Sequence, residues 1–468
     1  MDTQIVVVGA GPVGLMLAGE LRLGGAEVVV LEARLRPTTE SRASTLHART
    51  MEILQSRGLL DLFGPLPQEP RGHFGGIPMD LTLPSRFPGM WKVPQTRTEE
   101  LLGRWAACLG AQVRRGWTVR AVAADEGQVT VEADTPTGVR TLRAAYLVAC
   151  DGQDSTVRKL LGVEFPGWSA TRRLLRADVA GIEVPNRRFQ RLDRGMAVAA
   201  RNPQGITRVM VHEYGRDPGA GTEPDFTEFT DVWKRVTGED ISTGVPLWVN
   251  AFDDTNRQLT RYRHGRVLFA GDAAHVQMPI GGQALNLGLQ DAVNLGWKLA
   301  AQVRPAPPEG LLDTYHEERH ALGRRVLANI RTQAGLLLGD PTVEPVRTLL
   351  AELMAAESNR ALLAGMVSGL DVRYPAGPQD HPAVGDRVPD LDQRDGRGLL
   401  LAVPGSDFVA LARPWRDRVH TVPGPLPCTD ADAVLVRPDG HIAWAGSAPQ
   451  HARSALNRWF GPPAEISA

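Results

Sequence analysis

The sequence predicts an α/β fold built on a parallel, doubly wound sheet, and three short motifs carry that prediction. Each joins a glycine to an acid, and each follows an apolar run of strand length, at residues 4–8, 146–149 and 267–270. In open parallel sheets a ligand is held beyond the carboxyl ends of the strands. The three motifs therefore belong to one site gathered from distant parts of the chain.

The first motif is the most complete. Residues 4–8 (QIVVV) are the first predicted strand, and Gly9, Gly11 and Gly14 follow in G-x-G-x-x-G spacing. Residues 15–23 suit a helix, and the apolar run 28–31 delivers Glu32. The first glycine permits a tight turn, the second lets the backbone approach a pyrophosphate, and the third lets the helix pack closely on the strand. Glu32 is then placed to accept hydrogen bonds from a ribose. Unpaired amides at the helix start favour a diphosphate, so the unit reads as a dinucleotide site.

The next two motifs point to FAD and away from a bound nicotinamide. Asp151-Gly152 stands with Ser155, Val157 and Arg158 ahead of a helix, and Gly271-Asp272 opens a second such turn. A carboxylate at the end of a parallel strand, beside a glycine that permits close approach, suits a ribityl or ribose hydroxyl. No second G-x-G-x-x-G occurs, so NADPH or NADH has no Rossmann domain of its own. The nicotinamide is expected to bind transiently, reduce the flavin and leave.

Between the second and third motifs, residues 170–260 alternate as strands, for example 207–211 and 247–251, broken by Gly- and Pro-rich turns such as RDPGAGTEPD. This predicts a substrate-covering sheet inserted between flavin-binding elements. Residues 289–303 and 311–338 have helical periodicity, with Tyr315, Leu322 and Val326 expected to be buried. Residues 374–389 read as a linker. Beyond it, strands are expected at 399–403, 408–412 and 433–436, then a turn at Pro438-Asp439-Gly440.

Composition narrows the function classes. The 468 residues allow two or three domains, and 43% apolar residues can fill their cores. A net charge of −1 gives no basic field for nucleic acid. Only Lys92, Lys159, Lys234 and Lys298 are lysines, a coding bias toward arginine. No apolar stretch is long enough to span a bilayer and the first strand leaves no room for a signal peptide, so a cytoplasmic protein is expected. Cys108, Cys150 and Cys428 show no C-x-x-C or zinc spacing, so no disulfide or metal site is expected. His275, inside GDAAH, reads as a packing or locally bonded residue more readily than as a proton carrier.

Taken together, the chain resembles the FAD-dependent aromatic hydroxylases of the para-hydroxybenzoate hydroxylase fold. Within them it is most similar to the hydroxylases of angucycline-type polyketide biosynthesis, with the rifampicin monooxygenases next. The resemblance runs through ESRASTLHARTMEIL, RGHFGGIPMDL, VPQTRTEELL, LLDTYHEERHALG and VLVRPDGHIAW besides the three motifs. Flavin halogenases share the FAD fold, but their W-x-W-x-I-P segment is missing here.

The resemblance implies a Rossmann-like FAD-binding domain at residues 1–75, 95–167 and 262–365, and a mixed-sheet substrate domain at 76–94 and 168–261. It also implies a thioredoxin-like C-terminal domain at 383–468. That last domain lacks the C-x-x-C of dithiol exchange, so it is expected either to pack on the flavin domain or to support a homodimer. Asp151-Gly152 is expected to serve both FAD and the passing nicotinamide, Asp272 the ribityl chain, Arg42 the phosphates, and Gln95 a point nearer the ribityl.

The segment from Pro279 through Gly281, Gly282, Ala284 and Leu285 to Asn286 is expected beside the flavin ring, with a helix starting near Gln283 aimed at N1 and the C2 carbonyl. Relatives usually read GGQGMN there, so Ala284 replaces a glycine, and its β-carbon is costly where the backbone needs positive φ or a very close approach of the flavin. His73, Phe74 and Trp91 are placed as substrate-pocket residues. The implied reaction is hydroxylation of a polycyclic aromatic polyketide by O2 and NAD(P)H through a flavin C4a-hydroperoxide. A Baeyer–Villiger oxygenase, a rifamycin-modifying enzyme and a non-catalytic flavin protein are the alternatives.

Overall fold

The computed structural model describes residues 1–39, 43–219, 223–377, 380–428 and 430–464. Its central sheet runs, from one edge, through Arg263–His264, Val267–Phe269, Gly138–Ala149, Thr3–Val8, Val28–Glu32 and Gln112–Arg115. All but the outermost pairing on this path are parallel. The strands carrying the three motifs, Thr3–Val8, Gly138–Ala149 and Val267–Phe269, lie side by side. Their carboxyl ends therefore open on one edge of the sheet. Ile5, Val7, Leu147, Val148, Leu268 and Phe269 are wholly buried, as the near-continuous apolar runs of a sheet covered on both faces require. Arg42 lies outside the described residues.

The inserted sheet is five-stranded, in the order Arg187–Leu192, Gly195–Arg201, Ile206–Glu213, Arg173–Ala180 and Val245–Asp253. Its four pairings are all antiparallel. The sheet is antiparallel where a mixed one is expected: two hairpins join Arg187–Leu192, Gly195–Arg201 and Ile206–Glu213, and Arg173–Ala180 pairs with strands distant in sequence. One face packs on helix Phe226–Thr237, through Leu175, Ala177, Val209, Phe229 and Trp233. The opposite face packs Leu174, Met196, Met210 and Phe252 in one cluster with Met278 and Ile280 and with Ile330, Ala334, Leu337 and Leu338 of helix Asp313–Leu338. Part of the segment 76–94 sits away from this sheet: Met90–Lys92 pairs with Thr45–His47, and the hairpin strand Ile77–Asp80 packs with Leu336, Met354 and Val367.

Two sequence readings are corrected in the C-terminal third. Residues 408–412, expected as a strand, form the helical turn Phe408–Leu411: Phe408 and Ala412 face inward while Val409 and Ala410 are exposed, a spacing of four that fits a helix. The stretch 374–389 is no loose linker where it is described. Tyr374, Val384 and Val388 are buried, and the Gly385 amide donates to the Ile442 carbonyl. Of the three helix residues expected to be buried, Tyr315 is, whereas Leu322 and Val326 are half-buried and line a cleft.

The C-terminal sheet runs Val419–Pro423, Gly398–Ala402, Ala433–Val436, Ile442–Gly446, covered by helix Pro449–Phe460. It docks on the flavin domain: Trp297 of helix Gln283–Gln302 packs among Trp415, Trp459 and Phe460. No helix among the described residues is long and apolar enough to cross a membrane.

Candidate functional site

At the first motif the three glycines divide the work. A Cβ at Gly9 would fall on the Cys150 carbonyl, and one at Gly14 on the Gly9 carbonyl, whereas one at Gly11 would meet nothing within 4 Å. The first and third glycines are fixed by protein, and the second leaves an open face. Helix Pro12–Leu23 starts there with Gly11 at its N-cap and no side-chain cap, so its first-turn amides are available to an anion. Glu32 braces the turn, its two oxygens accepting from the amides of Ala10 and Arg34 at 2.8 Å each. A carboxylate has about four acceptor positions, so capacity remains for a ribose.

The second and third motifs are tied together. Asp151 accepts from the Ser155 hydroxyl at 2.6 Å and the Val157 amide at 3.0 Å, so its carboxylate caps helix Thr156–Leu160. Burial raises its pKa. Gly152, at φ +81°, borders open space: a β-carbon there would meet nothing within 4 Å. Arg158 lies over the Phe165 ring at 4.0 Å and donates to the carbonyls of Ala273 at 3.1 Å and Gln153 at 2.5 Å. It thereby couples the Asp151 turn to the Gly271-Asp272 turn.

Beneath Gly271 lies buried Asp291, which accepts from the Gly271 amide at 3.2 Å and from Arg319 and His275 at 2.7 Å each. His275 is fully buried against this carboxylate. Its place is structural, as the sequence reading favours. Asp272 itself is exposed at the strand end.

The segment 279–286, expected beside the flavin ring, has the most specific backbone. Gly281 and Gly282 adopt φ of +63° and +75°, a region that favours glycine, and helix Gln283–Gln302 begins immediately after them without a side-chain cap. Ala284 lies in that helix and is absent from the positive-φ residues. The concern that its β-carbon would strain the backbone is therefore overturned. Pro279 is exposed, and Leu285 is half-buried.

Asn286 fastens this loop. Its carbonyl oxygen accepts from the His47 amide at 2.9 Å and the Thr50 hydroxyl at 2.7 Å, and its nitrogen donates to the carbonyls of Thr45 at 3.0 Å and Gly282 at 2.8 Å. All four bonding positions of the carboxamide go to protein, which makes Asn286 a positioning residue. His47 Nε2 lies 2.8 Å from the Gly281 carbonyl, and burial pulls its pKa down to about 4. Beside it, both polar atoms of the buried Gln283 side chain have no hydrogen-bond partner. Gln283 lines a cleft with His47, Gln290, Leu322, Val326 and Asn329. His47, Gln290 and Asn329 are not singled out by the sequence, although the run TLHARTMEIL contains His47, and Leu322 and Val326 are read there only as buried helix positions.

Gln95 opens helix Gln95–Cys108, accepts from the Ala43 amide at 3.2 Å and donates to Glu99 at 2.8 Å. It thus anchors the segment next to Arg42. The three residues placed at the substrate pocket do not converge. His73 lies 4.3 Å from the Phe189 ring, Phe74 belongs to the cluster around Met79 and Met354, and Trp91 packs on the central core near Phe87. Sequence reasoning missed the apolar sheet face beside the loop, although alternation along 173–180 and 206–213 contains it.

These observations fit FAD. An open glycine at an uncapped helix, a carboxylate with spare acceptor capacity and an exposed acid at a neighbouring strand end supply the kinds of donor and acceptor that a diphosphate, ribose and ribityl chain require. The buried and unpartnered Gln283 amide stands beside the loop.

Residues 2–330 match the family model described as an FAD binding domain, and residues 373–463 match that of the aromatic-ring hydroxylase C-terminal region. The chain is 46% identical to CabE, an aromatic hydroxylase from angucycline biosynthesis, whose crystal structure superposes with a TM-score of 0.94 over 99% of this chain and 100% of that one. It is 40% identical to the OxyS anhydrotetracycline hydroxylase of Streptomyces rimosus, with a TM-score of 0.90 over 99% and 100% of the two chains. A rifampicin monooxygenase of Streptomyces venezuelae is 41% identical over 489 residues, covering 98% of each chain. With both its flavin-binding part and its C-terminal part matched, the chain belongs to the FAD-dependent aromatic-ring hydroxylases and is a flavin monooxygenase.

Proposed function

We propose that this monooxygenase hydroxylates a polycyclic aromatic polyketide, using O2 and either NADPH or NADH, in the cytoplasm and in the service of antibiotic biosynthesis. The observation that carries the reading is the apolar face of the inserted sheet. Leu174, Met196, Met278 and Ile280 are packed with Ile330, Ala334 and Leu337 of helix Asp313–Leu338, and Met210 and Phe252 of the same cluster are half-buried, leaving apolar surface near the loop 279–286. A flat, multi-ring substrate buries large apolar area against such a wall. The names of the angucycline and anhydrotetracycline hydroxylases support the same substrate class.

Gly9, Gly11, Gly14 and Glu32 would hold the diphosphate and ribose of FAD, Asp151-Gly152 and Gly271-Asp272 its middle, and the loop 279–286 its ring, with Arg42 and Gln95 assisting. When bound, FAD supplies reduction by the nicotinamide and activation of oxygen. The loop helix contributes amide donors at its uncapped start, which stabilise negative charge. Met278, Ile280 and the apolar sheet face exclude water. His73, Phe74 and Trp91 are retained as outer contributors to substrate fit, and no side-chain acid or base is assigned.

The test is the product mass after turnover under labelled oxygen, with a panel of angucyclinone-like phenols and rifampicin. One added oxygen on an intact polycycle supports the proposal. A lactone or cleaved ring identifies a Baeyer–Villiger reaction, and turnover of rifampicin alone identifies a drug-modifying enzyme. FAD bound without substrate-stimulated NAD(P)H oxidation identifies a non-catalytic flavin protein.

A further inference from the structure

The C-terminal domain enters the flavin domain with a buried turn, Arg437-Pro438-Asp439-Gly440. Arg437 makes two bonds to Glu318, at 2.6 and 2.8 Å, and two to Asp439, at 3.0 and 2.5 Å. Asn294 donates to Glu318 at 2.7 Å and to Asp439 at 3.2 Å, and Lys298 donates to Glu318 at 2.7 Å. Arg49 donates to the Asp439 carbonyl and Arg57 to the Pro438 carbonyl, each at 2.8 Å. Arg57 also pairs with Glu20 at 2.7 Å, and Arg49 with Glu52 at 3.2 Å. Four cations (Arg49, Arg57, Lys298, Arg437) face four anions (Glu20, Glu52, Glu318, Asp439), and all eight are buried.

The destinations of these bonds are informative. Asn294 and Lys298 lie on Gln283–Gln302, whose first residues form the flavin-ring loop. Glu20 lies on Pro12–Leu23, whose start faces the pyrophosphate turn. Arg49 and Arg57 flank Thr50, which bonds Asn286. One turn of the C-terminal domain is thus tied to three separate elements that border the dinucleotide site. Buried ionic networks are weak stabilisers compared with apolar packing of the same volume, but each of their bonds has a fixed direction.

We propose that the C-terminal domain is a positioning part of the flavin site: the turn 437–440 sets the relative placement of the pyrophosphate helix, the segment 45–56 and the flavin-ring loop. This rests on the reading of 279–286 as that loop, and FAD binding by the wild-type protein tests that reading separately.

The experiment uses the full chain and the variant Arg49→Lys, which keeps the charge but not the forked donor geometry. Gly440→Ala, at a φ of +78° with its new β-carbon 3.3 Å from the Arg49 guanidinium, strains the same turn without removing a charge and serves if Arg49→Lys does not fold. Amide hydrogen exchange is followed in peptides covering 279–290 and, as a reference, 195–213 of the inserted sheet, alongside FAD titration by flavin fluorescence. Faster exchange at 279–290 with unchanged exchange at 195–213, and an FAD dissociation constant raised about tenfold, is the expected result. Unchanged exchange and affinity in a variant whose wild type binds FAD overturns the proposal. So does exchange that rises equally in both regions, which marks general destabilisation.

Discussion

The Asn286 carboxamide and the Thr50 hydroxyl lie 2.7 Å apart, joining the helix that follows the glycine turn 281–282 to the helix that follows strand Thr45–His47. With its three other bonds, Asn286 holds the loop from two sides. Asn286→Ala leaves buried groups unpaired, at a cost of about 1–3 kcal/mol each. Chemical denaturation should show a lower midpoint, and the purified variant should carry less FAD. An unaltered midpoint would mean that the loop holds itself.

Gly11 offers a separation of folding from cofactor binding. Its φ of −75° and ψ of −178° are open to any residue, and a β-carbon there meets nothing. Gly11→Val should therefore keep its circular dichroism spectrum and yet be colourless. Gly9→Ala and Gly14→Ala, blocked by protein carbonyls, should instead lose soluble yield. A yellow Gly11→Val protein that releases FAD on denaturation would move the pyrophosphate elsewhere.

Asp272 is exposed at the end of its strand. A charge-assisted bond from its carboxylate to a ribityl hydroxyl is worth about 1.5–3 kcal/mol, so Asp272→Ala should weaken FAD retention by roughly one to two orders of magnitude. Equilibrium dialysis measures this directly, and thermal melting of the apoprotein should change little.

Buried histidines make stability fall with acidity. Burial lowers the pKa of His47 to about 4, against the countering hydrogen bonds to the carbonyls of Gly281 and Val367. Below an unfolded value of about 6.5, the unfolded chain takes up a proton that the folded chain refuses. Stability from this group is complete above pH 6.5 and drains away as the pH falls toward 4, by roughly 2 kcal/mol at pH 5. His73, also lowered to about 4 by burial, acts in the same direction. Denaturation midpoints at pH 7.5 and 5.0 should differ, and His47→Gln should narrow the difference.

Ala284 is helical, so Ala284→Gly should cost only about 0.5–1 kcal/mol through helix propensity. FAD affinity should stay near that of the wild type. Parallel assays of product, NAD(P)H and peroxide show whether the methyl group also shapes coupling between reduction and hydroxylation.

Much of the cofactor site is legible in the sequence because its determinants are local: a strand, a glycine turn and an acid within about thirty residues of one another. The inserted sheet is legible from alternation, whereas the Gly-rich segment 216–225 leads from it into helix Phe226–Thr237 and closes no hairpin. What escapes is made of long-range pairings. Nothing in the sequence marks Asn286 as the partner of Thr45 and Thr50, or Arg437 as the partner of Glu318. His73, Phe74 and Trp91 share proximity to one predicted sheet but not a common surface, because Trp91 pairs with Leu46 while Phe74 packs toward Met354. The turn Phe408–Leu411 escapes because its composition suits a strand, while its two inward residues stand four apart.

The two neighbours of the first strand are unequally distant in the order of synthesis. Thr3–Val8 pairs on one side with Val28–Glu32 and on the other with residues 144–149. At translation rates of about 5–20 residues per second, roughly 7–28 s separate the first strand from the second of these neighbours. Until then the emerging chain carries an apolar strand with an unpaired edge, a template for aggregation. Recombinant yield should therefore depend on holding chaperones and on lower growth temperatures more than on the stability of the finished fold.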